Sequence, residues 1–306
     1  MPSPTLYNSK ILGIAWITLA VISLLFLLCC LICKIFKIAS LHAATHKKNE
    51  CSAGPLAMTS RLMNIGCKSV IGTRESQQDR VITSDTELWK YAAVCDGMGG
   101  MEQGELASEH CIQKITRDFQ INIMPDDMAE YLVDIAHSLD ADVSQIKNAQ
   151  GDAIETGTTL VAAIVCEKKL FWLSVGDSRI YLVSGNSIVQ LTKDQNYMLE
   201  LEKMVENGMI TRAQAEEHSD RNALISYIGI NGLEHIDYGI DVQLQACDMV
   251  VLCSDGLYKL LADDEIRAVC NGCGFDAVEI SAKLVAAAQE KHIASKDNIS
   301  VAVIVA

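Results

Sequence analysis

Three aspartates stand at the ends of apolar segments that have the character of buried strands. They are Asp96 after residues 91–95, Asp255 after residues 249–253, and Asp297 before residues 299–305. Carboxylates brought together at one edge of a sheet repel one another, and they take up protons unless metal ions neutralise them. Oxygen donors without histidine or cysteine favour magnesium or manganese over zinc. The pattern therefore predicts a site for hard divalent cations.

Glycines follow Asp96 directly, at positions 97, 99 and 100. Because glycine has no Cβ atom, the backbone can turn back here, and a carbonyl such as that of Gly97 can approach the same point as the carboxylate. Asp96 and Gly97 therefore form a candidate pair of metal ligands. Since Asp-Gly after a strand is also a common turn, each aspartate taken alone is compatible with a simple turn.

The elements that must position these residues are short strands and the helices that lie between groups of them in the sequence. Residues 105–120 and the segment after Pro125 repeat apolar residues at helical spacing, whereas residues 158–191 contain short strands separated by tight polar breaks. Consecutive strands joined by turns predict antiparallel sheets, and the intervening helices predict an α+β sandwich.

Six short motifs follow one another along the chain. They are VCDGMGG, QGELAS, GTT, VGDSR, LCSDGL and KDNISV. Their order resembles that of the metal-dependent protein phosphatase family, the protein phosphatase 2C-like serine/threonine phosphatases, in its bacterial form, over about residues 60–306. The resemblance implies a central sandwich of two antiparallel β-sheets flanked by α-helices, and protein substrates that carry phosphoserine or phosphothreonine.

The same resemblance implies a site with two manganese or magnesium ions and a place for a third. In it, Asp96 bridges two ions, the carbonyl of Gly97 completes one, and Asp255 with Asp297 holds the other. A water shared by the two ions attacks the phosphorus in line, so that no covalent phosphoenzyme is needed.

The resemblance assigns roles to further residues. In it, Arg74 binds the substrate phosphate and Asp79 supports the site. Asp177 of the VGDSR motif lies near the metal centre, and Glu155 stands where bacterial relatives carry an aspartate for the third metal. Met98 stands where some relatives have a histidine proposed as general acid, so the general acid has no assignment. Residues 194–220 correspond to a mobile flap, although two ordinary surface helices broken at Gly208 would have the same sequence.

Residues 11–33 contain no charged residue, and lysines flank them at position 10 and at positions 34 and 37. A run of this length predicts a single transmembrane helix. A cleaved signal peptide is the alternative, but its apolar core is usually only 7–15 residues long. The chain thus divides into a tail at 1–10, the helix at 11–33, a basic juxtamembrane linker at 34–59 and a catalytic domain at 60–306.

Basic residues predict the orientation of this helix. Four lysines follow it, at positions 34, 37, 47 and 48, against Lys10 alone before it, which places the catalytic domain on the cytoplasmic side of the cell membrane. Nine of the twelve cysteines lie beyond the span, and they are scattered as in proteins of reducing compartments.

The net charge of −14 is spread unevenly. Residues 1–50 hold five lysines and Glu50, a balance of +4, so the remainder carries −18. A domain this acidic will not bind nucleic acid through its phosphates. The expected partners are phosphoproteins, the membrane and a cognate serine/threonine kinase or membrane complex.

Two other functions are compatible with this pattern. One is a membrane-tethered pseudophosphatase or phosphoprotein-binding scaffold, which predicts the loss of a metal aspartate. The other is a hydrolase of small phosphate esters on the same scaffold. All three central aspartates are present, which favours the enzyme over the scaffold.

Overall fold

The structure is a computed structural model that describes residues 64–98, 103–120, 123–148, 151–152 and 154–306 of the chain. The predicted tail, transmembrane helix and linker at residues 1–59 lie outside the described residues. In the described part, no helix combines the length and the apolar composition needed to cross a bilayer.

Two five-stranded antiparallel sheets form the centre of the domain. The first contains, in spatial order, β1 (Asn64–Val70), β12 (Ile299–Val305), β11 (Met249–Cys253), β8 (Arg179–Ser184) and β9 (Ser187–Gln190). The second contains β10 (Asp237–Gln243), β7 (Lys169–Val175), β6 (Leu160–Cys166), β3 (Lys90–Cys95) and β2 (Arg80–Asp85). Two shorter strands, β4 (Gly97–Met98) and β5 (Gly157–Thr158), pair with each other.

Helices cover the outer faces of the sheets. The described helices are α1 (Gln103–Phe119), α2 (Met128–Val143), α3 (Met198–Glu206), α4 (Arg212–Glu216), α5 (Asp255–Tyr258), α6 (Asp263–Asn271) and α7 (Ala277–Glu290). The carboxylate of Asp127 caps α2 by accepting the N–H groups of Ala129 and Glu130. This cap fixes where the helix predicted after Pro125 begins.

The central strands are apolar on both faces because both faces are covered. In β3, Tyr91 and Ala93 pack in a core with α1 and α2, whereas Ala92 and Val94 pack in a second core with residues of β11 and β12. A third core joins the outer face of β11 and β12 to α6 and α7. The layers therefore run helices, sheet, sheet, helices, which confirms the predicted α+β sandwich.

The segment predicted as a flap contains the two short helices α3 and α4. Gly208 breaks them with a positive φ of 70°, a conformation that glycine adopts without strain. The hydroxyl of Thr211 accepts the N–H of Gln214, and the Gln214 side chain accepts the N–H of Thr211. These two hydrogen bonds form a capping box at the start of α4.

Candidate active site

Strand ends carry the predicted metal ligands to one edge of the sandwich. Strands β11 and β12 are antiparallel neighbours with Cys253 opposite Val301, so Asp255 after β11 and Asp297 before β12 lie at the same edge. Asp96 directly follows β3 of the facing sheet. The carboxylates of Asp255 and Asp297 are both close enough to raise the pKa of Asp96.

Two glycines allow the backbone to come this close. A Cβ atom at Gly256, the second residue of α5, would overlap the carbonyl oxygen of Asn298 before β12. A Cβ atom at Gly97 would overlap the carbonyl oxygen of Gly104, so the turn after β3 packs directly on α1. Both glycines are needed for close approach at the edge where the aspartates lie.

Five aspartates form what we call the carboxylate cluster. They are Asp79, Asp96, Asp177, Asp255 and Asp297. Burial raises the pKa of Asp96 well above its ordinary value, and the nearby carboxylates of Asp79 and Asp255 raise it further. Burial likewise raises the pKa of Asp79 to about 6 and that of Asp177 to about 6, and Asp255 adds to both shifts. The cluster thus concentrates negative charge in a poorly solvated place.

Basic side chains face the cluster from two sides. Nη2 of Arg74 lies 2.7 Å from Oδ2 of Asp297, and Nζ of Lys259 pairs with Oδ2 of Asp255. The other oxygen of Asp255, Oδ1, is buried and has no hydrogen-bond partner among the described residues.

The donor set fits a hard divalent cation. All of its side-chain donors are carboxylate oxygens, they repel one another, and the Asp255 Oδ1 atom lacks a hydrogen-bond partner within the described ranges. In the described part of the chain, no group of three or more His, Cys, Asp or Glu side chains is placed so that it could hold a metal ion without rearrangement. Rotation of Asp255 and Asp297 away from Lys259 and Arg74 would free their oxygens for an ion.

The GTT and VGDSR motifs hold the backbone of Asp96. The N–H of Asp96 donates to Oγ1 of Thr159 at 3.0 Å, and the N–H of Thr159 donates back to the Asp96 carbonyl at 2.9 Å. Oγ1 of Thr158 donates to the same carbonyl at 3.0 Å. The hydroxyl of Thr159 is also hydrogen bonded to that of Ser178, at 2.7 Å. The two threonines and the serine of these motifs therefore fix the backbone of Asp96 in the carboxylate cluster.

Asp79 supports the carboxylate cluster from the interior of the protein. Its carboxylate accepts a 2.8 Å hydrogen bond from the hydroxyl of Ser254, which in turn accepts the N–H of Ser300 at 3.0 Å. Asp79 is only 2% exposed, so it contacts the cluster from inside the protein.

Asn298 holds the loop that carries Arg74. Its side-chain carbonyl accepts the N–H of Gln78 at 2.8 Å, and its amide donates to the carbonyls of Ile71 and Ser76. Arg74 then lines a cavity of about 350 Å³ beside Asp297. A half-exposed arginine next to the carboxylate cluster is suited to bind an anion such as phosphate.

Arg179 joins the start of the segment predicted as a flap to α5, the helix that begins at Asp255. Its guanidinium makes two hydrogen bonds to Asp194, at 2.9 and 2.7 Å, and lies 3.6 Å from the centre of the Tyr258 ring. The pKa of Arg179 is raised because its hydrogen bonds to Asp194 and Tyr181 outweigh the opposing effect of burial. Asp194, where the predicted flap segment starts, is thereby fixed relative to the carboxylate cluster.

Glu155 and Met98 lie beside the carboxylate cluster rather than in it. Glu155 is exposed and, together with Met98, lines a groove of about 640 Å³. Sequence reasoning did not identify Asn298 or Lys259 as site residues. Lys259 could have been found from its spacing of four residues from Asp255, had the short helix α5 been predicted.

Comparison with known proteins places the fold and the motifs in one family. The profile of the protein phosphatase 2C family matches residues 68–296, well over half of the chain. The chain is 30% identical over 179 residues to the serine/threonine phosphatase stp of Listeria welshimeri, covering 58% of this chain and 69% of the relative. It is 32% identical over 178 residues to the protein phosphatase PhpP of Streptococcus pneumoniae, covering 58% and 70%.

The structural comparison agrees. The serine/threonine phosphatase of S. agalactiae superposes with a TM-score of 0.68 at 25% sequence identity, covering 79% of this chain and 99% of the other. This chain therefore shares the fold of the S. agalactiae phosphatase over almost the whole length of that protein. The resemblance in motif order is confirmed: the chain belongs to the protein phosphatase 2C family.

Proposed function

We propose that this protein is a membrane-anchored, metal-dependent serine/threonine protein phosphatase with its catalytic domain in the cytoplasm. Membership of the protein phosphatase 2C family and similarity to bacterial serine/threonine phosphatases support the reaction. The observation that carries the metal dependence is the carboxylate cluster, in which Asp255 keeps a buried oxygen without a hydrogen-bond partner in the described part of the chain.

The residues that would hold two ions are Asp96, Asp255, Asp297 and the carbonyl of Gly97, with Asp177 for a third. Glu155, predicted for the third ion, lines the neighbouring groove instead. Manganese or magnesium suits their oxygen donors. Bound there, the ions would supply an activated water as the nucleophile and offset charge on the phosphoryl oxygens.

The chain's own side chains prepare this site. Arg74 binds the substrate phosphate from the cavity that it shares with Asp297. Asp79 and Ser254 hold the segments that carry Asp255 and Asp297 together, because Asp79 accepts the hydroxyl of Ser254, which accepts the N–H of Ser300. Since Met98 cannot donate a proton, the leaving hydroxyl takes its proton from solvent or another group, and no side chain is assigned to this step.

The uncharged run at residues 11–33 and the lysines that follow it support the membrane anchor. A tethered phosphatase would act on phosphoproteins, and on a cognate kinase or complex, at the same membrane. Membrane fractionation of the full-length chain beside a chain beginning at Ser60 tests this. Recovery of both in the soluble fraction would refute the anchor.

Activity measurements test the reaction. Hydrolysis of a phosphothreonine peptide with manganese, with and without chelator, is compared for wild type, Asp255→Asn and Asp263→Asn. Asp263 is an exposed aspartate on α6 and serves as the matched control. We expect wild type and Asp263→Asn to be active only with metal, and Asp255→Asn to lose at least 100-fold of activity, roughly the effect of removing a group that stabilises the transition state. Equal rates for wild type and Asp255→Asn would refute the mechanism.

A further inference from the structure

A groove of about 640 Å³ opens where β4 ends, next to the residues assigned to the metal centre. We call it the Met98 groove. Its walls include Met98, Ser144, Glu155, Tyr227, Ile230 and Asn231. Met98 directly follows Gly97, so a phosphorylated residue in the site would place its neighbours in the peptide within reach of this groove.

One buried carboxylate shapes the loop that forms a wall of the groove. Asp140 of α2 is 5% exposed and accepts the backbone N–H groups of Gly229, Asn231 and Gly232, at 2.8, 3.1 and 2.8 Å. All three of these loop residues have positive φ angles, of 106°, 61° and 138°. Glycine adopts such angles without strain and leaves the loop many alternative conformations, so the three hydrogen bonds to Asp140 are what hold the loop in this one.

The same loop is joined to the metal-ligand edge. Ile228 and Thr158 exchange two backbone hydrogen bonds, at 3.0 and 2.9 Å, and Oγ1 of Thr158 donates to the carbonyl of Asp96. The ring of Tyr227 packs so closely on Gly157 that a Cβ atom there would lie 2.5 Å from it. The groove wall is therefore held at a fixed distance from Asp96.

Charge and shape define what the groove can bind. Glu155 is the one charged side chain among the described residues that line it, and it is exposed. Met98 and Ile230 provide apolar surface close by. A lysine or arginine side chain matches both features, because it combines an aliphatic stem with a cationic end. The surplus of negative charge beyond residue 50 also attracts basic peptide segments.

We propose that the Met98 groove binds a basic side chain flanking the phosphorylated residue of the substrate, and that Asp140 is a positioning residue that shapes the groove. This proposal rests on the proposed function of the protein. It gives the phosphatase a preference for phosphosites with a lysine or arginine at one defined neighbouring position.

The test uses the full-length protein with manganese. Phosphothreonine peptides carry lysine, alanine or glutamate at each of three positions on either side of the phosphoresidue, and p-nitrophenyl phosphate is the small reference substrate. At one position we expect wild type to show a kcat/KM about three- to fivefold higher for lysine than for glutamate, the size of one exposed ion pair. Glu155→Lys should reverse this ratio, while Glu87→Gln, at the other end of the β2–β3 hairpin from Asp96, should leave it unchanged.

Asp140→Asn tests the positioning role. The measured quantity is kcat/KM for the peptide divided by kcat/KM for p-nitrophenyl phosphate. We expect this ratio to fall about tenfold in Asp140→Asn, mainly because KM for the peptide rises. Asp134 is an exposed aspartate on the same helix, and Asp134→Asn should keep the wild-type ratio. If Asp140→Asn does not fold, as judged by its melting curve, Tyr227→Ala replaces it with the same expected ratio.

The outcomes separate this proposal from the function on which it rests. A wild-type enzyme that hydrolyses p-nitrophenyl phosphate and peptides with no preference at any position would overturn the groove proposal alone. Variants whose kcat/KM falls equally for the peptide and for p-nitrophenyl phosphate would overturn it as well. A wild-type protein that hydrolyses neither substrate with manganese would overturn the phosphatase proposal, and the groove proposal with it.

Discussion

The guanidinium of Arg74 lies 2.7 Å from the carboxylate of Asp297, so the residue assigned to the substrate phosphate is paired with a residue assigned to a metal ion. The two are 223 positions apart in the chain, and both side chains are at least one third exposed. An ion pair this exposed contributes only about 0.2–1 kcal/mol, so either partner can exchange it for a stronger ligand.

This pairing leads to a prediction for Arg74→Ala. We expect KM for a phosphothreonine peptide to rise about 10- to 100-fold, because a charge-assisted contact to phosphate is lost. Manganese affinity should stay equal or become up to about fivefold tighter, because Asp297 no longer has a competing partner. Steady-state kinetics and calorimetric titration measure the two effects. Arg267→Ala, which removes an arginine paired with Asp264 on α6, is the control. Weaker manganese binding by Arg74→Ala would contradict the account.

The buried carboxylates predict how the stability of the metal-free protein depends on pH. The pKa values of Asp79 and Asp177 are raised from 3.8 to about 6 in the folded protein, chiefly by burial. The folded state therefore binds protons more tightly than the unfolded chain, and this contribution to stability is lost as pH rises through about 6. In chelator, Tm should fall between pH 5 and pH 8, and saturating manganese should offset most of the fall.

Asp79→Asn is the matched variant for that measurement, because asparagine keeps the shape of the side chain and does not titrate. Its Tm in chelator should fall less steeply over the same pH range than that of wild type. A Tm that rises from pH 5 to pH 8 in chelator, or identical slopes for the two proteins, would show that these carboxylates do not govern the pH dependence.

Gly256 tests the close approach of α5 to the segment before β12. Alanine there would overlap the Asn298 carbonyl, and backbone must move to accommodate it. We expect Gly256→Ala to reduce the free energy of unfolding by about 2–4 kcal/mol and to weaken manganese binding, since Asp255 precedes it. Gly272→Ala, at the end of α6 with a φ of −83°, should change stability by less than about 1 kcal/mol. Urea unfolding measures both, and equal stabilities would contradict this packing.

Variants of Arg179 test whether the segment predicted as a flap is fixed to the site. Lysine cannot make the two-pronged contact with Asp194 while stacking on Tyr258. Arg179→Lys should cost about 1–3 kcal/mol of stability and should speed amide hydrogen exchange in α3. Arg212→Lys, on the exposed face of the flap helix α4, is the control. Unchanged exchange in α3 after Arg179→Lys would mean that this contact does not anchor the flap.

Local sequence pattern predicted the features that local structure determines. The strand-aspartate-glycine pattern indicated Asp96 and Asp255 because an apolar run that stops at glycine marks a strand end. The cap at Asp127 and the capping box at Thr211 likewise depend only on residue types within one helical turn. The antiparallel sheets were predicted from consecutive short strands separated by tight polar breaks.

Contacts between distant segments could not be predicted in this way. Asp140 binds a loop about 90 residues further on, and nothing in the periodicity of α2 distinguishes it from an ordinary polar residue of the helix. Asn298 holds the Arg74 loop through contacts that span 220 and 227 positions of the chain. Lys259 faces Asp255 only because the chain forms a short helix directly after β11. Such contacts depend on how the sheets pack, which local spacing does not encode.

The central claim is that Asp96, Asp255 and Asp297 hold divalent ions together. An anomalous difference map at the manganese absorption edge, from crystals of the protein grown with manganese, tests it most directly. The account predicts two peaks within coordinating distance of these three carboxylates, with the side chains of Arg74 and Lys259 turned away from Asp297 and Asp255. Peaks elsewhere, or no peak beside any of the three aspartates in an otherwise well-ordered map, would contradict it.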